Sequence, residues 1–152
     1  MPFRTPTSAP RLRPGYVLQM QPDLRWERLN QLLERNGDRP RAHERWRLAL
    51  ERSCWYLGVC REDGVLVGFV RVTSDLALNA NIWDLLVDLD DPAWEDVMLT
   101  LVQTALARLR REMAGCSVSL AAPPEAINAL TRAGFVVDPG GIRAMGLSLG
   151  QP

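Results

Sequence analysis

Two apolar runs, "CWYLGVCR" (54–61) and "VLVGFVRV" (65–72), flank the turn tripeptide Glu62-Asp63-Gly64. Runs rich in β-branched and aromatic residues, joined by a short acidic-glycine turn, read as two antiparallel strands of a hairpin. The polar connection "SDLALNA" leads to a third run, "NIWDLLV", and then to a different period. Trp94, Val97, Met98, Leu101, Val102, Ala105 and Leu109 recur in steps of three and four, one wide apolar stripe on a long helix. A hairpin followed by strand–helix alternation restricts the chain to a mixed α/β sheet covered by helices.

The rest of the chain extends this plan. "GYVLQM" predicts a first strand, and Asp23 is placed to cap a helix with apolar positions Leu24, Leu29, Leu32 and Leu33. A second helix is expected over Arg41 to Arg52, with Trp46, Ala49 and Leu50 on its apolar side. After the long helix ends at Gly115, "CSVSLAA" predicts a strand and "PPEAINALTRA" a proline-started helix that stops at Gly134. "FVVD" and "IRAMGLSL" are expected to close the sheet.

At 152 residues the chain is the size of one domain. Prolines at positions 2, 6, 10 and 14 make residues 1–14 a loose arm, and residues 15–152 form a single domain. The arm carries no apolar segment of a secretion signal, and no apolar run approaches the ~18 residues of a membrane span. Eighteen basic residues balance eighteen acidic ones, which argues against nucleic-acid binding. The locally basic stretch from Arg35 to Arg52 reads as a solvated helix surface. All the basic residues are arginine, so lysine nucleophiles and Schiff bases are excluded. Cys54, Cys60 and Cys116 have no paired spacing, and His43 is the lone histidine. That composition implies no metal site and a reducing, cytoplasmic location. Ser74 and Ser119 have no histidine placed beside them and no G-x-S-x-G, which excludes serine hydrolase chemistry.

Three pieces in order, "VGFVRVTSDLALNANIWDLLVD", the long helix, and "AINALTRAGFVVDPGGIRAM", resemble the GCN5-related N-acetyltransferase family, in particular its cyanobacterial and plastid branch. "LNQLLERNGDRPRAHERWRLALERSCWYLGV" is similar to the N-terminal helical part of that branch, so the resemblance spans roughly residues 16–145. It implies a GNAT-like acyl-CoA N-acyltransferase fold with a mostly antiparallel central sheet flanked by helices. It further implies transfer of acetyl from acetyl-CoA to a small-molecule or protein amine. The cofactor's pantetheine arm would lie where the fourth and fifth strands splay. Leu86 and Val87 would supply backbone contacts there, and the long helix beginning at Trp94 would receive the pyrophosphate.

Two departures from the family pattern stand in that region. The family's pyrophosphate loop, Q/R-x-x-G-x-G/A, is here "DLDDPAWEDVM", with Pro92, Ala93, Glu95 and Val97 opposite the expected glycines and basic residue. Side chains in that turn hold a phosphate off the backbone, and Pro92 removes a donor. Asp88, Asp90, Asp91, Glu95 and Asp96 add like charge, and two unit charges 4 Å apart at an effective dielectric of ~20 interact by about 4 kcal/mol. The same acids also suit a structural role, Asp90 or Asp91 capping the helix and Glu95 and Asp96 facing its dipole. The second departure is Leu130, where many members carry a tyrosine that protonates the leaving thiolate.

Asp84 and Asp75 are the candidate catalytic residues. Asp84, inside an apolar strand, is read either as a base or anionic wall for a substrate amine or as a partner for Arg71; Asp75 either serves the substrate or organises its turn. Trp94 either covers a ligand at the helix start or plugs the site. Two functions follow: an N-acetyltransferase, or a catalytically degenerate member that binds a protein partner or small ligand. Exposed edge strands leave a homodimer open.

Overall fold

The computed structural model describes residues 12–150; the arm expected over residues 1–14 lies almost wholly outside them. Five strands form one sheet: β1 (Tyr16–Met20), β2 (Trp55–Arg61), β3 (Leu66–Ser74), β4 (Asn79–Val87) and β5 (Ser117–Ser119). They lie side by side in chain order, antiparallel from β1 to β4, with β5 parallel to β4. Helices α1 (Trp26–Arg35) and α2 (His43–Arg52) precede the hairpin, α3 (Trp94–Glu112) follows β4, and the short α4 (Ile127–Arg132) follows β5. This is the acyl-CoA N-acyltransferase architecture that the sequence predicts.

Each face of the sheet buries its own core. On one face Leu57, Val70, Val72, Ile82, Leu85 and Val87 pack against Val97, Leu101 and Ala105 of α3. On the other, Phe69, Leu66 and Cys60 meet Leu29, Leu32 and Leu33 of α1 and Trp46 of α2. The predicted stripe of α3 is the buried one, from Val97 to Leu109. Gly68 brings α3 close, because a Cβ there would sit 2.5 Å from Val97 Cγ1 and 2.9 Å from Leu101 Cδ1.

Three local expectations are corrected. Asp23 does not cap α1, which starts later, after Arg25, without a side-chain cap. Asp91 rather than Asp90 holds the start of α3, but from outside the helix: its Oδ1 accepts from Ala93 N–H (2.8 Å), and Ala93 is itself the cap residue. Lastly, among the described residues no strand follows β5, so "FVVD" and "IRAMGLSL" do not close the sheet. A strand requires a partner edge, and the neighbouring β5 offers only three residues. A left-handed Asp138 (φ 46°) and a 3-10 turn at Pro139–Gly141 instead lead the chain onward as exposed coil.

Among the described residues no helix is long and apolar enough to cross a membrane, and no three His, Cys, Asp or Glu side chains cluster to hold a metal.

Candidate functional site

β5 pairs only with the first three residues of β4, Asn79 to Asn81. Among the described residues β4 has no paired strand on that side from Ile82 onward, and nothing after Ser119 continues the ladder. The gap opens into an apolar groove of about 520 Å³, walled by Ile82, Trp83, Leu120, Leu130 and Phe135. At its closed end Ser119 Oγ donates to Asn81 Oδ1 (2.8 Å), fastening the two strands before they part.

Within the gap β4 carries a bulge. Arg71 pairs with Trp83 and Phe69 with Leu86, so Asp84 and Leu85 together oppose the single residue Val70. The extra residue is Asp84, held left-handed (φ 51°), a conformation that aspartate and asparagine tolerate better than most side chains. The bulge breaks the strand's two-residue alternation: Ile82 and Leu85, three apart, face the same core. Asp88 N–H donates to Val67 C=O (2.9 Å), so the antiparallel ladder turns Val87's own N–H and C=O away from β3, while Leu86's face it. The Val87 carbonyl accepts from Asn36 Nδ2 at the end of α1 (2.7 Å), and Asn36 Oδ1 is buried with no partner among the described residues.

The carboxylate of Asp84 is clamped by two arginines, Arg71 Nε at 2.6 Å and Arg41 Nη2 at 2.8 Å, with only 12% of its side chain exposed. Burial by itself would raise its pKa, but the two guanidiniums outweigh that and hold it below the ordinary carboxylate value. Asn30 steadies the outer clamp: its Oδ1 accepts from Arg41 N–H (2.9 Å) and Trp46 Nε1 (2.8 Å), and its Nδ2 donates to Arg41 C=O (2.8 Å). The Arg41 guanidinium also lies 4.6 Å over the Trp46 ring. Thus the α1–α2 connection is tied to the bulge of β4.

The acidic turn is largely neutralised from within. Asp88 pairs with Arg35 Nε (2.9 Å), and Asp96 with Arg13 Nε (3.1 Å). Asp91, whose side chain is fully buried, takes Arg61 Nη1 (3.2 Å) and the Tyr16 hydroxyl (2.8 Å), a bond that raises the phenol's pKa. Among the described residues, only Asp90 and Glu95 stand exposed without such a partner. The repulsion expected from five acids therefore shrinks to about two charges. The obstacle that remains is in the backbone: Asp91 also accepts from Ala93 N–H and, through its carbonyl, from Trp94 N–H (3.1 Å). Two N–H groups that could have met a phosphate are already used.

No family model matches the chain. Over 121 residues it is 30% identical to the uncharacterized N-acetyltransferase ycf52 of Porphyra purpurea, covering 77% of this chain and 68% of that protein. The chain belongs to the GCN5-related N-acetyltransferase family. It is also 33% identical over 123 residues to the chloroplastic serotonin N-acetyltransferase 2 of Oryza sativa, spanning 77% of this chain and 59% of the relative. Among solved structures, a probable acetyltransferase of Staphylococcus aureus superposes with a TM-score of 0.71, covering 87% of this chain and 99% of the other at 18% identity. That likeness establishes the shared fold.

Against the family pattern, the sequence-predicted residues fall in different places. Val87 stands on the open side of β4, whereas Leu86 turns its backbone to β3. Trp94 is half-buried, packed against the α3-side core, and does not line the groove. Leu130 does line it, 3% exposed. Asp75 sits at the β3–β4 turn, where its Oδ1 accepts from Ala77, Leu78 and Asn79 N–H; these bonds lower its pKa to about 2. Neither Asp75 nor Asp84 borders the groove. His43 is exposed, stacked on Trp26 at 5.6 Å beside a separate hollow of about 380 Å³ between α1 and α2. Asn30 and Asn36 gave no signal in the sequence, since a polar residue at a helix end or on its edge is commonplace.

Asp84→Asn tests the clamp without disturbing the backbone, because asparagine also accepts a left-handed conformation. The variant is expected to lose about 1–3 kcal/mol at neutral pH, with Arg71 left half-paired. A depressed folded pKa stabilises above the unfolded value of ~3.9 and loses that contribution as pH falls through the folded one. Urea unfolding from pH 7 to pH 2.5 checks this: the gap between wild type and variant should close in acid.

Proposed function

We propose that the protein is an acetyl-CoA-dependent N-acetyltransferase acting on a small or protein amine. The observation that carries this reading is the parting of β4 and β5 beyond Asn81 and Ser119, with an apolar groove in the gap. Bound there, acetyl-CoA supplies an acetyl thioester. Val87 offers the pantetheine arm a backbone edge not used by β3, and Asn36 would exchange its bond to the Val87 carbonyl for one to that arm. The apolar walls, Ile82, Leu130 and Phe135, exclude water from the thioester. Asp84 acts by holding the bulge and the α1–α2 connection in place rather than as a base, since two arginines keep it ionised and occupied.

With Leu130 in place of a tyrosine, no side chain of the groove is suited to protonate a thiolate. The acceptor therefore reacts as the neutral amine, and its proton leaves through solvent. Relatives carry names that span both amine classes, serotonin and, in Glycine max, histone acetyltransferase, so both classes belong in the screen. Three free thiols fit a reducing compartment, and we place the protein in the cytoplasm.

A second reading, a non-catalytic binding module, is favoured by one observation, the use of the Ala93 and Trp94 N–H groups by Asp91. Calorimetry with acetyl-CoA and with free pantetheine separates the two. The transferase reading expects acetyl-CoA binding with a dissociation constant of about 10–100 µM, corresponding to roughly −7 to −5.5 kcal/mol. Turnover should rise with unit slope in log kcat/KM up to the acceptor amine's own pKa, with no break at a lower pH from an enzyme base. Pantetheine binding of equal strength would mean that the phosphates contribute nothing. No heat with either ligand at millimolar concentration would retire the transferase in favour of the binding module.

A further inference from the structure

The charges around the groove do not cancel, and the excess lies beside one wall. The two charged residues that line the groove, Asp138 and Arg143, pair with each other (3.4 Å). Trp83 forms part of the wall, with Arg71 opposite it on β3. Its ring is fixed by Nε1, which donates to Thr73 Oγ1 (2.8 Å), and the Arg71 guanidinium lies 6.0 Å from the ring centroid. One residue on, the carboxylate of Asp84 takes both Arg71 and Arg41. Two positive charges against one negative leave one in excess next to Trp83. Donors are in excess too. Arg71 spends only Nε on Asp84, and Arg41 only Nη2. Among the described residues both Nη groups of Arg71 bond to nothing else, yet neither is sealed from water, and the Arg41 side chain is 41% exposed.

We propose that the acceptor is a small amine that carries a carboxylate, which Arg71 and Arg41 receive while the amine enters the groove past Trp83. The inference rests on the N-acetyltransferase reading and names the substrate class of that same site. Arginine suits the task, because a guanidinium offers parallel N–H groups to the two oxygens of a carboxylate. Asp84 prepares the pair: it takes one nitrogen from each arginine and holds both side chains, so less rotamer freedom is lost on binding. The recess favours a small molecule, since the Arg71 side chain is only 17% exposed. A polycationic acceptor is opposed on the same ground. No unpaired carboxylate lines the groove, and the excess charge beside it repels an ammonium. The transfer itself is unchanged: the neutral amine nitrogen forms a C–N bond to the acetyl carbon, the C–S bond breaks, and the amine's proton reaches the departing thiolate through water.

The test compares acetyl transfer to glycine, leucine and phenylalanine, each beside its carboxamide, with kcat/KM referred to the neutral amine. Each acid should exceed its amide by about tenfold or more, mostly through KM. Raising the salt to about 0.5 M should narrow the gap. Arg71→Gln lowers both turnovers to the extent that the clamp loosens β4, but the ratio of acid to amide should collapse to about one. Arg71→Lys, which keeps the charge, should recover part of that ratio. A purely structural role would lower acid and amide together and leave the ratio as in wild type. The inference is overturned by amides that match or exceed their acids, by a ratio unmoved in Arg71→Gln, or by acetyl-CoA binding without turnover of any of the six. Calorimetry separates these results from failure of the parent reading. If acetyl-CoA gives no heat at millimolar concentration, the transferase and this inference fall together; if it binds and the amides are preferred, only this inference falls.

Discussion

Gly68→Val should destabilise the protein by about 3 kcal/mol, a loss of roughly 10 °C in melting temperature for a domain of this size. The position leaves no room, because even the first added carbon would lie 2.5 Å from Val97 Cγ1 and 2.9 Å from Leu101 Cδ1. Both neighbours are fully buried on α3, so neither can swing into solvent. The helix would have to lift from β3, and with it the turn that joins α3 to the end of β4. Thermal unfolding reads the cost, and a double-mutant cycle locates it. Gly68→Ala combined with Val97→Ala should recover part of the loss of Gly68→Ala, since the second substitution removes the methyl that is struck. Additive losses would mean that the helix is pinned elsewhere.

Gly68 also marks the limit of what local signals in the sequence carry. The runs around Glu62-Asp63-Gly64 announced the hairpin, and the stripe from Trp94 to Leu109 announced α3, because both signals are local periods. The closeness of the helix to β3 is a relation between residues 29 and 33 positions apart, which no period records. The same holds for β4. Its run of apolar residues identifies a strand, but regular two-residue alternation would put Ile82 and Leu85 on opposite faces. The bulge that puts Ile82 and Leu85 on one face appears only in the pairing with Arg71 and Phe69. One candidate partner of Asp84, Arg71, was visible from the neighbouring strand; Arg41, 43 residues away and steadied by Asn30, was not. For "IRAMGLSL" the local pattern says strand, yet a strand is completed by its neighbour, and the neighbouring β5 offers only three residues.

The acidic turn is where composition misled most, and Arg61 is the residue that decides it. Counted along the chain, Asp88 to Asp96 is a block of negative charge at the start of α3. Folded, it is threaded by cations from three other elements: Arg13 ahead of β1, Arg35 of α1 and Arg61 of β2. Arg61→Met keeps the length and apolar stem of the side chain while removing its charge. It leaves the fully buried Asp91 with the Tyr16 hydroxyl and Ala93 N–H as its remaining donors. Because Arg61 is partly exposed, the expected loss is measurable but smaller than that of breaking a wholly buried pair. An unmasked carboxylate beside the start of α3 should also weaken acetyl-CoA, by about tenfold, or ~1.4 kcal/mol. Raising the salt to 0.5 M should restore much of that binding, because screening acts on the added repulsion but not on the apolar groove. Urea unfolding and calorimetry read the two effects separately. A destabilised variant that binds acetyl-CoA as well as wild type would mean that the cofactor's phosphates pass wide of this turn, and that the groove between β4 and β5 alone accounts for the affinity.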